Sequence, residues 1–127
     1  MASGQALTAH NSKITLTIAA NYGGRWDMMQ AVQAWQAANP GQTVAEMDDA
    51  ALRPHLSMAY APDPELLIRT GGESRISNFM LWQMAYTELF FTDTLWPDFS
   101  APVLDEALTW FTARDRRFGA SSAALAR

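Results

Sequence analysis

Two arginines on either side of a glycine pair are the residues of this sequence best suited to binding an anion. Arg69 and Arg75 flank Gly71 and Gly72 in the segment IRTGGESRIS. A guanidinium group can make two parallel hydrogen bonds to a carboxylate or a phosphate. Glycine lets the backbone take a positive φ or approach a ligand closely at low steric cost. The pattern therefore predicts an anion site in this segment.

The elements around the arginines favour the same interpretation. Leu66–Ile68 is an apolar run typical of a buried strand, and it stops at Arg69. Ser77 is predicted to open a helix over Asn78–Tyr86. Ligands of open α/β sheets lie outside the carboxyl ends of the strands, and helix N-termini present free N–H groups to phosphates. We expect the strand end, the glycine loop and the helix start to meet at one site.

Each of these residues also has a structural interpretation. Arg69 could pair with Glu73 or Asp63, and Ser77 is most simply the N-cap of its helix. The Ser77 hydroxyl could still donate its proton to a phosphate while its oxygen caps the helix. Three aromatic side chains at helical spacing predict core packing or a dimer interface rather than a cofactor site: Phe79, Trp82 and Tyr86.

The order of apolar patterns predicts an α/β fold with a parallel sheet and flanking helices, β-α-(α)-β-α-β-α. The predicted strands are Ile14–Ala20, Leu66–Arg69 and Glu88–Phe91. The predicted helices are Arg25–Ala38, a short helix capped by Asp48 or Asp49, Asn78–Tyr86, and a last helix from Ser100 to about Arg117. The last helix is expected to bury Leu104, Ala107, Leu108 and Phe111.

Composition excludes several classes of function. The chain has 127 residues, a net charge of −4 and a pI near 4.9, which argues against a nucleic-acid partner. It has no cysteine, so it has no disulfide and no thiolate metal site, and this fits a cytoplasmic protein. His10 and His55 are too far apart in sequence to form a metal-binding pair. No apolar run approaches the ~20 residues of a membrane helix.

Four segments together resemble a known family. NYGGRWD (residues 21–27), IRTGGESRISNFMLWQMAYTELFF (68–91), LWPDF (95–99) and RDRRFG (114–119) are similar in sequence and order to the C-terminal half of the cis-prenyltransferases of the undecaprenyl diphosphate synthase type. The similarity covers nearly the whole chain. It identifies residues 1–127 as the C-terminal half of a single cis-prenyltransferase domain.

The resemblance implies an enzyme activity for the intact protein. These enzymes condense isopentenyl diphosphate onto an allylic diphosphate, farnesyl diphosphate in the specific case, with Mg²⁺ as cofactor. The product is the polyprenyl lipid carrier of peptidoglycan synthesis, which is delivered to the membrane. The family also implies a homodimer located in the cytoplasm or at the membrane periphery.

The resemblance also assigns roles to residues. Arg69, Arg75, Ile76 and Ser77 match the positions that bind the diphosphate of isopentenyl diphosphate. Glu88 matches an acidic residue that helps to bind Mg²⁺. A further element matches an arginine-x-glycine ending that contacts the partner subunit's active site, namely Arg117 and Gly119. Ser74 stands where many relatives have a histidine, so a metal or proton role is not expected of it.

The family's catalytic aspartate belongs to an N-terminal half that these residues do not contain. We therefore expect no catalytic residue in this chain and no prenyltransferase activity from the chain alone. An alternative is a non-catalytic subunit, or truncated partner, of a heteromeric cis-prenyltransferase. The retained RTGGESRIS segment argues against that alternative, because such a subunit has little need of both arginines.

Overall fold

A computed structural model describes residues 2–115 of the chain. It contains, in order, α1 (Ala2–Thr8), α2 (Gly24–Ala38), α3 (Asp49–Leu52), β1 (Leu66–Arg69), β2 (Glu88–Phe91) and α4 (Ala101–Thr112). Short 3₁₀ turns lie at Val44–Glu46, Arg53–His55 and Trp96–Asp98. None of the helices in these residues has the length and apolar character needed to cross a membrane.

The sheet consists of β1 and β2, which run parallel with Leu66 opposite Glu88 and Arg69 opposite Phe91. The pairing continues past the strand ends, because the Thr92 N–H donates to the Arg69 carbonyl at 2.9 Å. Both strands have the bounds that the sequence predicts, and a parallel pair with flanking helices confirms the α/β class. Short apolar runs bounded by turn residues were the correct signal for these strands.

The predicted third strand, Ile14–Ala20, is wrong. In the part of the chain that the structure describes, this segment has no strand partner, and Ile14, Leu16 and Ile18 are 84%, 82% and 69% exposed. An alternating pattern produces a strand only where a neighbouring strand supplies the hydrogen bonds of a ladder. The segment therefore lies outside the sheet with these apolar side chains in solvent.

The predicted helix Asn78–Tyr86 is also wrong. The segment forms a series of turns, and Ser77, Asn78 and Met80 have φ values of 47°, 61° and 42°. A right-handed helix cannot propagate through left-handed residues, even where apolar side chains have helical spacing. Ser77 is consequently not the N-cap of a helix.

Helix α2 forms as predicted and carries the core of the chain. Ala31 and Trp35 are buried on one face, and Ala31 packs with Leu52 at the end of α3 and with Leu56 just after it. Asp48 caps α3, since its Oδ1 accepts the Ala51 N–H at 2.8 Å. This packing brings residues 52–57 against α2 and fixes the segment that leads into β1.

Helix α4 covers one face of the sheet, and the prediction of its buried residues is confirmed for Ala107 but wrong for Leu104 and Leu108. Ala107 is fully buried, but Leu104 and Leu108 are 39% and 45% exposed. The contact with the sheet is made by Trp110, whose ring meets Phe90 edge-on with centroids 5.4 Å apart. The helix ends at Thr112, before the predicted end near Arg117.

Candidate diphosphate-binding site

The loop after β1 depends on two glycines in the left-handed region. Gly71 and Gly72 have φ values of +85° and +73°, which strain any residue with a Cβ atom. The Gly71 N–H donates to the Thr94 carbonyl at 2.9 Å, and the Gly72 N–H donates to the Thr92 carbonyl at 3.0 Å. These amides are therefore used inside the protein. An anion at this loop would be bound by side chains rather than by the glycine N–H groups.

The loop brings Arg69 and Arg75 together. The Arg69 guanidinium donates from Nη1 to the Arg75 carbonyl at 2.5 Å, which closes the turn across the glycines. The Arg75 side chain is 66% exposed and forms an ion pair with Glu73. Two guanidinium groups and two carboxylates therefore lie at the carboxyl edge of the sheet, since Asp93 Oδ1 is 3.1 Å from the position of an added Cβ at Gly72.

The alternative partners considered for Arg69 are engaged elsewhere. Asp63 accepts two hydrogen bonds of 2.9 Å from Arg53, a bidentate ion pair on the surface before β1. Glu73 pairs with Arg75. The structural role of Arg69 is thus the bond to the loop carbonyl, and its guanidinium group has further N–H donors besides the one in that bond.

Ile76 and Ser77 continue the loop beyond Arg75. Ile76 is half-buried, whereas Ser77 is exposed and has a left-handed backbone. Because no helix starts there, the Ser77 hydroxyl has no helix N–H groups to cap. Its predicted contact with a diphosphate stays a prediction, and Ser74 is likewise exposed.

Asn78 fixes the far end of this loop to α2, and the sequence reasoning missed this contact. Its carbonyl accepts the Gly24 N–H at 2.7 Å, and its side-chain Oδ1 accepts the Arg25 N–H at 2.8 Å. The first N–H groups of α2 are therefore satisfied by Asn78. Gly24 is needed at this contact, because a Cβ atom there would lie 2.8 Å from the Leu81 side chain.

Asp27 is the second residue that attaches the turns at 77–86 to α2, and the sequence did not predict this role for it. Its side chain lies in the first turn of α2 and is 1% exposed. Four donors reach its carboxylate at 2.7–3.0 Å. They are the Tyr22 hydroxyl, the Gln30 and Gln83 amides and the Ser57 backbone N–H. The carboxylate thus joins α2 to residue 57 and to the turns at 77–86.

These contacts determine the protonation of the pair Asp27 and Tyr22. Burial raises the pKa of Asp27, but the hydrogen bonds from Ser57, Gln83 and Tyr22 outweigh it, so the pKa of this carboxyl lies below its ordinary value. Burial, followed by the Asp27 carboxylate, raises the pKa of the Tyr22 hydroxyl. Asp27 is therefore an ionised structural acceptor at neutral pH, and Tyr22 is a donor.

Glu88 lies in a different environment from the loop. Its carboxylate, whose side chain is 21% exposed, accepts a hydrogen bond from Arg114 Nε at 3.1 Å and forms an ion pair with it. The Arg114 guanidinium also lies 5.1 Å from the centroid of the Trp110 ring. Glu88 is thus held against the C-terminal end of α4.

The register of the sheet separates Glu88 from Arg69. Glu88 lies opposite Leu66 at the start of the strands, whereas Arg69 lies opposite Phe91 at their end. Three residues of strand span about 10 Å. Since side chains alternate between the faces of a sheet, Glu88 shares the α4 face with Phe90, and Arg69 points to the other face. Within one chain, Glu88 and the loop do not form a single cluster.

The described residues do not fit a Mg²⁺ site of their own. Residues 2–115 contain no group of three His, Cys, Asp or Glu side chains that could hold a metal ion. Glu88 offers a single carboxylate, and that carboxylate is paired with a guanidinium. Mg²⁺ usually binds one or two carboxylates together with substrate phosphates and water. The predicted ending at Arg117 and Gly119 lies outside the described residues, and His10 and His55 belong to no metal cluster.

Comparison with known proteins identifies the family. A family model described as "Putative undecaprenyl diphosphate synthase" matches residues 1–119. The chain belongs to the undecaprenyl diphosphate synthase family. The expected membership, which rested on the segments around the glycine loop, is confirmed.

Relatives and solved structures of the undecaprenyl diphosphate synthase family match nearly the whole chain. It is 58% identical over 123 residues to an isoprenyl transferase of Nitrosomonas europaea. This alignment covers 97% of this chain and 46% of the relative. The chain is 50% identical over 121 residues to the (2E,6E)-farnesyl-diphosphate-specific ditrans,polycis-undecaprenyl-diphosphate synthase of Vibrio cholerae, covering 94% and 48%. The chain therefore spans about half the length of these relatives.

Solved structures also match nearly the whole chain and about half of their own length. Lavandulyl diphosphate synthase from Lavandula x intermedia, in complex with dimethylallyl diphosphate, matches with a TM-score of 0.83 and 36% identity, over 94% of this chain and 52% of its own. A probable undecaprenyl diphosphate synthase from Campylobacter jejuni matches with a TM-score of 0.79 and 27% identity, over 94% and 54%. The fold described above is thus a part of the cis-prenyltransferase fold.

Proposed function

We propose that the intact protein is a cis-prenyltransferase that condenses isopentenyl diphosphate onto farnesyl diphosphate to make undecaprenyl diphosphate. Family membership and a relative named for that farnesyl-specific reaction support this proposal. Because the chain spans about half of that relative, the reaction is proposed for the whole protein and not for residues 1–127 alone.

The part played by this chain is to bind the diphosphate of isopentenyl diphosphate. The observation that carries this proposal is the contact between Arg69 and Arg75 at the carboxyl edge of the sheet. The contact places both arginines on one loop, where the Arg75 side chain is 66% exposed. Two arginines on one loop suit a diphosphate, because each guanidinium can donate charge-assisted hydrogen bonds to it and the loop is formed before the diphosphate binds.

Binding here would orient the substrate without reacting it. In prenyl transfer the allylic diphosphate leaves, the isopentenyl double bond attacks the resulting carbon, and a proton is lost. Arg69 and Arg75 would hold one diphosphate in place, with Ile76 and Ser77 continuing the contact along the loop. Among the described residues Asp27 is the buried acid, and its carboxylate is engaged in structural hydrogen bonds.

Several further properties belong to the same proposal. The intact protein would use Mg²⁺, form a homodimer and release its product to the membrane, and the chain alone would be inactive. Mg²⁺ would need ligands beyond the described residues, including the substrate phosphates. A non-catalytic subunit of a heteromeric enzyme is the competing proposal, and co-elution with a catalytic subunit that stimulates synthesis would favour it.

Titration of the 127-residue chain with isopentenyl diphosphate, followed by ³¹P NMR or calorimetry, tests the diphosphate-binding role. We expect weak saturable binding that Arg75→Gln removes or reduces by about tenfold, the effect of losing one charge-assisted phosphate contact. Arg53→Gln is the matched control, because Arg53 is also an exposed, ion-paired arginine but lies outside the loop. Equal loss in both variants, or none in Arg75→Gln, would overturn the assignment.

A further inference from the structure

The side chain of Gln83 carries a buried oxygen that none of the described residues satisfies. Gln83 is 8% exposed, and its Nε2 donates to Asp27 Oδ2 and to the Ser57 carbonyl, both at 3.0 Å. Its Oε1 is buried and accepts no hydrogen bond from residues 2–115. A buried acceptor without a donor costs free energy, so such an atom in a folded protein indicates a ligand or an ordered water molecule beside it.

The orientation of the Gln83 amide is fixed by these two bonds. A primary amide has two N–H hydrogens and one oxygen, and both hydrogens of Nε2 are used, on the Asp27 carboxylate and the Ser57 carbonyl. Turning the amide around would place Oε1 against these two acceptors. Oε1 is therefore the end of the amide that needs a donor from elsewhere.

A cavity lies beside Gln83, between the turns after the glycine loop and the segment before β1. Gln83 and Met80 line it from the turns, and most of residues 56–62 line it from the segment. Arg53 and Asp63, whose side chains are 42% and 47% exposed, complete the lining and form its solvent side. The volume of the cavity, taken as the space open to the centre of a water molecule, is about 10 Å³, which is close to what one water needs.

We propose that this cavity is a binding site for one ordered water molecule, which donates a hydrogen bond to Gln83 Oε1. Water matches the site in size and chemistry, because the cavity has room for a single molecule and Oε1 requires a donor. A fully ionised anion offers no hydrogen to Oε1, and a larger organic donor exceeds the volume. The Ser57 hydroxyl and the Asp63 carboxylate are further polar groups of the lining with which the same water can bond.

The water gives the turns at 77–86 a second attachment to the segment before β1. The first attachment runs through Gln83 Nε2, which bonds the Ser57 carbonyl directly and the Ser57 N–H by way of the Asp27 carboxylate. A bridging water is nearly as favourable in enthalpy as a direct hydrogen bond. The water site follows from the packing around Gln83 and is independent of the proposed function.

Nuclear Overhauser effects between water and methionine methyl groups test the site in the 127-residue chain. Met58 and Met80 line the cavity, whereas Met29 lies on α2, outside it, and is 62% exposed. With the methionine methyl groups labelled, we expect cross-peaks from water to Met58 or Met80 with the sign of a molecule that tumbles with the protein. Met29 should give no cross-peak of this sign, because water at an exposed surface exchanges rapidly. A crystal structure should show the same water within hydrogen-bond distance of Gln83 Oε1.

Four variants make the result specific. Ala61→Val enlarges a side chain of the lining and should displace the water, so that the cross-peaks disappear. Ala59→Val changes a second lining position and gives the same test if Ala61→Val folds poorly. Ala45→Val is the matched control and should leave the cross-peaks unchanged, because Ala45 is exposed in the turn at Val44–Glu46 and does not line the cavity. Ser57→Ala removes a hydroxyl proton that could itself exchange with water, and the cross-peaks should persist in it.

Four results would overturn the water site. The first is an unmodified chain that is folded and gives no cross-peak of this sign at either of the two lining methionines. The second is loss of the cross-peaks in Ser57→Ala, which would assign them to hydroxyl exchange. The third is cross-peaks that persist at full intensity in both Ala61→Val and Ala59→Val. The fourth is a crystal structure in which Gln83 Oε1 has no ordered water, or a larger molecule, beside it.

Discussion

The Gln83 amide donates to the buried carboxylate of Asp27 at 3.0 Å, across 56 positions of sequence. The same Gln83 nitrogen donates to the Ser57 carbonyl at 3.0 Å, while the Ser57 N–H donates to Asp27 at 2.7 Å. These bonds tie α2, the segment before β1 and the turns after the glycine loop to a single carboxylate. The position of the arginine loop therefore depends on a residue that does not contact it.

Replacing Asp27 by asparagine should destabilise the chain strongly. The asparagine amide would place N–H groups against N–H and O–H donors, leaving buried donors without an acceptor. We expect the free energy of unfolding to fall by about 3 kcal/mol, as for the loss of charged, buried hydrogen bonds. Urea unfolding followed by tryptophan fluorescence measures this. A loss below about 0.5 kcal/mol, the size of an ordinary surface substitution, would contradict the role given to the cluster.

Acid should destabilise the chain through the same carboxyl. Its pKa is lower in the folded state than the ordinary value of about 3.9, so the folded state favours the ionised form. The stability that Asp27 contributes is present above about pH 5 and is lost as the pH falls toward the folded pKa. Urea unfolding at a series of pH values should show a steeper decrease in the unmodified chain than in Asp27→Asn. Parallel curves would contradict this prediction.

The elements that the sequence predicted correctly are those whose residues agree with their local environment. Leu66–Arg69 and Glu88–Phe91 are short apolar runs between turn residues, and they pair with each other inside the described chain. The pattern at Ile14–Ala20 predicted a strand equally well. It failed because strand formation depends on a neighbouring strand, which local pattern does not report.

The site was predictable to the extent that it is local. Arg69 and Arg75 meet because a glycine turn of a few residues joins them. The contacts of Asn78 with α2 and of Glu88 with Arg114 join distant segments, and no periodicity indicates them. The structure has turns where a helix was predicted after Ser77, and the Asn78 carbonyl accepts the first N–H of α2. Tertiary contacts therefore determined the backbone conformation of this segment, and they outweighed the helical spacing of its apolar residues.

Substituting alanine for Gly71 should weaken the loop through its backbone. The residue has φ of +85°, and no atom lies within 4 Å of the position of an added Cβ, so the cost is conformational alone. We expect a loss of about 1–2 kcal/mol in the free energy of unfolding. Gly4→Ala in α1 is the control, because it also meets open space but lies at ordinary helical φ, and it should not destabilise the chain. Equal effects in the two variants would rule out strain at Gly71.

Asn78→Ala should weaken the attachment of the loop to the N-terminus of α2. The substitution removes the Oδ1 acceptor of the Arg25 N–H but keeps the backbone bond to Gly24. The loss expected for a helix cap is about 1 kcal/mol, and the left-handed backbone of residue 78 adds to it. Amide hydrogen exchange should become faster in the first turn of α2. Asn78→Asp, which retains the acceptor, should preserve protection of the Arg25 amide, and faster exchange there in both variants would argue against capping.

Substitution in the exposed apolar segment at residues 14–18 should have little effect on stability, unlike the substitutions above. Leu16 is 82% exposed, so Leu16→Ala should change the free energy of unfolding of the isolated chain by less than about 0.5 kcal/mol. Leu52 is 3% exposed in the core against α2, and Leu52→Ala should cost about 2–5 kcal/mol. Both substitutions replace leucine by alanine, and the two positions differ in the burial of the leucine side chain. A large loss in Leu16→Ala would mean that this segment packs in solution against a surface, such as that of a second copy of the chain, and sedimentation of the two variants would identify that case.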